Sequence, residues 1–174
     1  PIVSVMNEAK NKQKPVKHPF PPLYDENSRV LILGSFPSVK SREQMFFYGH
    51  PQNRFWRVLA GVFSCAVPQT IEEKRRFLLS NGIALWDVIA SCEITGSSDS
   101  SIKNVVANDL RQILEAADIR KIYVNGKTAE KYYKKYTEPV IGREAICLPS
   151  TSPANAAWSL ERLTEAWQAV AESI

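Results

Sequence analysis

The chain is poor in the residues that build metal sites and disulfide frameworks. Its 174 residues include only three cysteines, Cys65, Cys92 and Cys147, and two histidines, His18 and His50. The cysteines are odd in number and far apart, which argues against a disulfide scaffold and fits reduced thiols in a cytoplasmic protein. So few ligands offer no metal-binding spacing, and neither a metal nor another cofactor is expected. Long apolar runs are missing too. No stretch of eighteen apolar residues and no charged-then-apolar leader occurs, so neither a membrane span nor a secretory signal is expected. The turn Gly34-Ser35-Phe36-Pro37-Ser38 lacks the Gly-x-Gly-x-x-Gly and Gly-Lys-Ser/Thr patterns of nucleotide loops. A Rossmann, P-loop or flavodoxin-like cofactor binder is therefore disfavoured.

What is present is enough chain for one domain with a real core. The formal charge is +4 and the isoelectric point near 9.0, which favours an acidic partner, nucleic acid before membrane. Residues 1–19 gather Lys10, Lys12, Lys14 and Lys17 with prolines and no apolar period, and read as a flexible basic arm ahead of a single domain over 20–174. Phe20-Pro-Pro-Leu-Tyr24 reads as the lead-in to the first strand.

Val30 to Leu33, ending at Gly34, predicts a buried strand, and Asn53 to Phe63 a helix with Phe55, Trp56, Leu59 and Phe63 on one face. Thr70 to Leu79 predicts a helix with an N-cap Thr70 and acidic Glu72 and Glu73 in its first turn, closed by Asn81-Gly82. Ile83 to Leu85 predicts a second strand running into Trp86-Asp87, and Gly96 to Ser101 a polar loop. Helix Asp109–Ala117, strand Lys121–Val124 ending at Asn125-Gly126, helix Thr128–Tyr136, strand Ala145–Leu148 and a long closing helix from Ala154 to Ser173 follow. In that last helix Ser152 serves as N-cap and Pro153 as first residue, with amides that could also hold a phosphate.

Strands separated by helices imply right-handed crossovers and a parallel sheet covered on both faces. Ligands bind such sheets beyond the carboxyl ends of the strands. The unusual residues fall there four times: Gly34-Ser35-Phe36, Asp87, Asn125 and Pro149-Ser150-Thr151-Ser152. Each also has a plain reading, Asp87 as a cap and Asn125 as a turn residue.

The run Tyr48-Gly-His-Pro-Gln-Asn-Arg-Phe-Trp56, with Gly34-Ser-Phe-Pro-Ser38 before it and Leu148-Pro-Ser-Thr-Ser-Pro-Ala-Asn155 near the end, resembles the uracil-DNA glycosylase superfamily. Within it the likeness is greatest to the hypoxanthine (deoxyinosine) DNA glycosylases. The resemblance implies a three-layer α/β/α sandwich with a central four-stranded parallel sheet. It further implies a monofunctional DNA glycosylase, a monomer that hydrolyses the N-glycosidic bond of deaminated bases in DNA. Relatives that cleave uracil or mismatched bases carry an Asn or Asp in the turn after the first strand, where this chain has Phe36. A phenyl ring cannot position water, and the resemblance passes that task to Asn125, with Asp87 as the next candidate. It places Gly34, Ser35, Phe36, Tyr48 and Asn53 around the base, Tyr48 stacking on it, with Asn53 alternatively fixing the loop before its helix. Pro149, Ser150, Thr151 and Ser152 would press on the DNA. Two alternatives stay open: a uracil or mismatch-specific glycosylase, and a noncatalytic DNA-binding module on the same fold.

Overall fold

A computed structural model of the protein describes residues 14–174. Seven strands form in the described chain: β1 (Val16–Lys17), β2 (Val30–Gly34), β3 (Ile83–Asp87), β4 (Ile89–Glu93), β5 (Lys103–Ala107), β6 (Lys121–Asn125) and β7 (Ile146–Leu148). The α-helices are α1 (Val39–Gln44), α2 (Phe55–Val62), α3 (Ile71–Ser80), α4 (Arg111–Ala116), α5 (Lys127–Tyr132), α6 (Glu138–Ile141) and α7 (Leu160–Glu172).

β2 and β3 are buried at every residue, as apolar runs covered on both faces must be. They lie in a parallel sheet of order β3-β2-β6-β7 flanked by helices, the architecture expected from the sequence. The chain leaves β2 in one direction, to β3, and β6 in the other, to β7. Right-handed crossovers therefore put α1 to α3 on one face and α4 and α5 on the other. The crevice between the carboxyl ends of β2 and β6 is the switch point where such sheets bind ligands. Thr70 caps α3 as expected, and reciprocally: its hydroxyl accepts from the Glu73 amide while the Glu73 carboxylate accepts from the Thr70 amide. Leu23 exchanges both backbone hydrogen bonds with Leu85, so the Phe20–Tyr24 lead-in does pack beside the sheet.

Four local expectations are corrected. A second, antiparallel sheet of order β1-β4-β5 lies beyond β3. Its strands escaped notice because β4 and β5 are half-exposed, irregular in register and without clean alternation. The arm expected over 1–19 divides: residues 1–13 lie outside the described residues, whereas Val16 and Lys17 pair with Cys92 and Ser91, and the His18 side chain is buried. The helix expected over Thr128–Tyr136 is α5 followed by a π-helical stretch, Tyr133–Thr137, just ahead of Pro139. Proline has no N–H to give Lys135, so the regular ladder cannot continue there.

The long closing helix starts at Leu160 rather than Ala154, capped by Ser159, whose hydroxyl accepts from the Arg162 amide. The reason is Arg54. Its guanidinium donates to the carbonyls of Ser152, Asn155 and Trp158, two of them at 3.0 Å, and holds 152–158 as a folded loop. Ser152 and Pro153 therefore start no helix, and the phosphate site expected on its amides falls with it.

Candidate active site

The strand ends of the parallel sheet open into a cleft of about 540 Å³. β2 contributes Gly34 and the turn residues Ser35 and Phe36, β3 contributes Asp87, and β6 contributes Asn125. Tyr48 and Asn53 enter from the segment before α2, and Ser150, Thr151 and Ser152 from the loop after β7. Of the residues singled out in the sequence, Pro149 alone does not line the cleft; its carbonyl accepts from the Trp167 indole at 3.0 Å and anchors the loop to α7.

One wall is a connected hydrogen-bond network around Asn125. The Thr151 amide, which can only donate, lies 3.1 Å from Asn125 Oδ1 and so fixes which end of the carboxamide is oxygen. Asn125 Nδ2 then donates to Thr151 Oγ1 at 3.0 Å and to Tyr48 Oη at 3.2 Å. The Thr151 hydroxyl passes its own proton to Asn53 Oδ1 at 2.9 Å, and the same Asn53 oxygen accepts from the Phe55 amide at 3.0 Å, closing the turn into α2. Both donors of Asn125 are thus used, while its Oδ1 accepts a single hydrogen bond, from the Thr151 amide, and has capacity for a second. Thr151 is completely buried. Its hydroxyl is spent inside the protein, so the expected contact with DNA is turned inward. Asn53 has its oxygen committed to the loop and the helix start, the second of its two sequence readings.

Tyr48 adopts a left-handed backbone, φ +49°, which is costly for an aromatic residue and needs surrounding support. The Trp56 indole donates to its carbonyl at 3.1 Å, and its ring lies on Phe55 at 4.0 Å and 17°. One face is therefore taken, and a base can stack only on the other. Burial, with the nearby Asp87 carboxylate adding to it, pushes the Tyr48 hydroxyl far above the usual tyrosine range, against the Asn125 hydrogen bond. The hydroxyl stays neutral, and since Asn125 donates to its oxygen, its proton is free to be donated.

The opposite wall is built on Asp87. Its Oδ2 lies 2.7 Å from His18 Nε2, and both side chains are almost fully buried. His18 sits in a cage of aromatic rings, with Trp86 at 4.3 Å and Phe20 at 4.5 Å between centroids and Phe36 edge-on at 6.0 Å. Asp87 Oδ1 packs on the Gly34 backbone; a Cβ there would stand 2.4 Å from it and 3.0 Å from Tyr48 Oη. Gly34 is thus required by close approach rather than by its turn.

Sequence reasoning missed three residues. His18 was hidden in a stretch read as an arm, and Arg54 in a motif whose other members drew the interest. Asp99, in the polar loop, reaches the cleft with its Oδ1 3.5 Å from Ser35 Oγ. Although the residue is exposed overall, desolvation of its carboxyl raises its pKa, partly offset by hydrogen bonds from Thr128 and Ser35. The only available signal was its place in a loop following a strand end. No group of His, Cys, Asp and Glu able to hold a metal forms among the described residues.

The family model of the uracil DNA glycosylase superfamily matches residues 21–171, and the chain belongs to that superfamily. It is 38% identical over 160 residues to a hypoxanthine DNA glycosylase of Methanosarcina acetivorans, spanning 89% of this chain and 98% of that one. A hypoxanthine DNA glycosylase of Methanosarcina barkeri is 36% identical over 145 residues, spanning 80% and 88%. The solution structure of a putative uracil DNA glycosylase from Methanosarcina acetivorans superposes with a TM-score of 0.75 at 37% identity, covering 89% of this chain and 96% of the other.

Proposed function

We propose that the protein is a monofunctional DNA glycosylase that hydrolyses the N-glycosidic bond of deaminated bases, hypoxanthine foremost. The carrying observation is the convergence of Asn125, Asp87 and Tyr48, from three separate parts of the chain, on one cleft at the switch point of the sheet. The cleft is in the size range of small-ligand pockets. The names and coverage of the relatives support hypoxanthine as the base.

A base stacked in a duplex cannot reach this cleft, so the nucleotide flips out, at a cost of a few kcal/mol that is least at a mispair. Tyr48 offers its free face to the base and Ser35 and Phe36 shape the pocket beside it. Deamination replaces a ring nitrogen lone pair and an amine by an imino N–H and a carbonyl. Asp87 Oδ1 is an acceptor suited to that N–H and repels the bare lone pair of the parent base. Asn125 Oδ1 holds the attacking water. An amide is no general base near neutrality, so Asn125 acts by orientation, while the Asp87 carboxylate and the DNA phosphates favour the positive charge that develops on the sugar. Ser150 and Ser152, with the exposed Pro153-Ala154 at the rim, meet the DNA strand. No lysine lines the cleft among the described residues, which accords with hydrolysis without a Schiff base.

We also read the protein as one domain, beginning no later than Val16, that works as a monomer. Its three cysteines are free, in keeping with a reducing, cytoplasmic setting. No helix among the described residues is long and apolar enough to cross a membrane. The test is incubation with duplexes carrying deoxyinosine, deoxyuridine or deoxyxanthosine, scored for abasic sites. Abasic sites first and fastest at deoxyinosine are expected. Binding without cleavage of any duplex would replace this reading by the noncatalytic module.

A further inference from the structure

We propose that His18 is a positioning residue that, by taking Asp87 Oδ2, turns Oδ1 into the cleft as the acceptor for the imino N–H of the flipped base. The proposal rests on the glycosylase reading above. His18 and Asp87 have side chains only 3% and 6% exposed, and their 2.7 Å contact holds one carboxylate oxygen firmly. Among the described residues Oδ1 has no hydrogen-bond partner, while Asp87 lines the cleft. A carboxylate with one oxygen fixed and the other open presents a single, oriented acceptor.

The cost of the arrangement argues that it is used. His18 Nδ1 is buried with no partner inside rings of Phe20, Phe36, Phe47 and Trp86. Apolar side chains in place of both partners would fill that space without leaving a polar atom unsatisfied, and buried polar pairs are often replaceable in this way without loss of stability. Two further contacts limit the carboxylate. The Asn108 side-chain Nδ2 donates to the Asp87 carbonyl at 2.8 Å, fixing the backbone from which the Asp87 side chain springs. Gly34 lets Oδ1 approach the floor of the cleft, where any Cβ would exclude it. The partner arrives from β1, whose pairing with β4 brings His18 over the end of β3, and the His18 amide donates to the Ala90 carbonyl at 2.8 Å. The segment before Phe20 is on this reading part of the base pocket.

The test compares His18→Phe, which keeps a ring in the cage but removes the donor, with His18→Gln, which keeps an N–H near the position of Nε2. In single-turnover cleavage of a deoxyinosine duplex, His18→Phe is expected to lose about ten- to a hundredfold, the worth of a hydrogen bond to a charged group. His18→Gln is expected to recover most of that loss. Affinity for a duplex holding an abasic site, which offers the backbone and no base, should stay within about twofold of wild type in both variants. Combined with Asp87→Ala, His18→Phe should cost nothing further, since both act through one oxygen. The proposal is overturned if His18→Phe cleaves at the wild-type rate, if His18→Gln falls equally far, if abasic-duplex binding collapses, or if the two losses multiply. A wild type inactive on every duplex overturns the glycosylase reading and this role with it, whereas an active wild type with an unaffected His18→Phe overturns this role alone.

Discussion

The two walls of the cleft solve the same problem in opposite ways. The Asn125 wall is neutral and fully connected: Asn125 donates to Tyr48 and to Thr151, Thr151 donates to Asn53, and the Thr151 amide donates back to Asn125. The Asp87 wall is sparse, a carboxyl side chain with one contact to His18 inside a shell of aromatic rings. A network of neutral groups shares the positioning among many members, so a loss at one point is partly absorbed by the others. A lone contact in an apolar shell concentrates it, and the side left open is the one facing the cleft. The first arrangement suits the role proposed for Asn125, holding water in one place, and the second the role proposed for Asp87, presenting a single acceptor.

The sharpest break in the comparison is Asn125→Ala, which removes the oxygen proposed to hold the water and two donors together. Single-turnover cleavage of a deoxyinosine duplex is expected to fall about a hundredfold or more. Full activity would remove the Asn125 wall from the chemistry and leave Asp87 to carry it. Gly34→Ala attacks the other wall, since the new methyl would stand 2.4 Å from Asp87 Oδ1. Displacing a carboxylate held by His18 should cost about 1–3 kcal/mol in chemical denaturation and, by filling the pocket floor, reduce cleavage about tenfold. An unchanged midpoint would mean that Asp87 swings aside freely. Thr151→Val keeps the shape of the neutral wall but deletes its central hydroxyl. A cost of about 1–2 kcal/mol is expected, with cleavage lowered only severalfold because the Thr151 amide still fixes Asn125 Oδ1.

Tyr48→Phe should have the smallest effect at neutral pH, removing one acceptor of Asn125. Its consequence lies in alkali. The unfolded tyrosine ionises near pH 10, whereas the folded hydroxyl, raised by burial and by Asp87, holds its proton. At such pH the unfolded state binds fewer protons, so stability falls as pH rises above about 10. Tyr133, pushed up to about 12 chiefly by burial, and Tyr132, raised for the same reason, contribute in the same direction. Melting temperatures between pH 9 and 11 should therefore fall less steeply in Tyr48→Phe than in the wild type. Identical slopes would show that the Tyr48 hydroxyl reaches solvent.

Legibility in the sequence followed the range of the interaction. The strand carrying Gly34, the N-cap at Thr70 and the strand-end positions of Asp87 and Asn125 were readable because a run of apolar residues and the turn or cap beside it lie within a few positions of one another. The small sheet was not, since β5 is half-exposed and owes its existence to pairing with β4. Nor was the late start of α7, because the competing donor for its would-be carbonyls is Arg54, about a hundred residues away. Thr151 shows the same limit within a single motif: its place in the loop after β7 was evident, its inward direction was not.

By itself the sequence determined which residues stand at the carboxyl edge of the sheet, because apolar periodicity and turn chemistry are local and place strand ends directly. Only the tertiary structure decided what those residues hold. His18 meets Asp87 across 69 positions, Tyr48 meets Asn125 across 77 and Asn53 meets Thr151 across 98. Such contacts depend on how strands cross and which faces close, and no pattern within a short window of the chain encodes them.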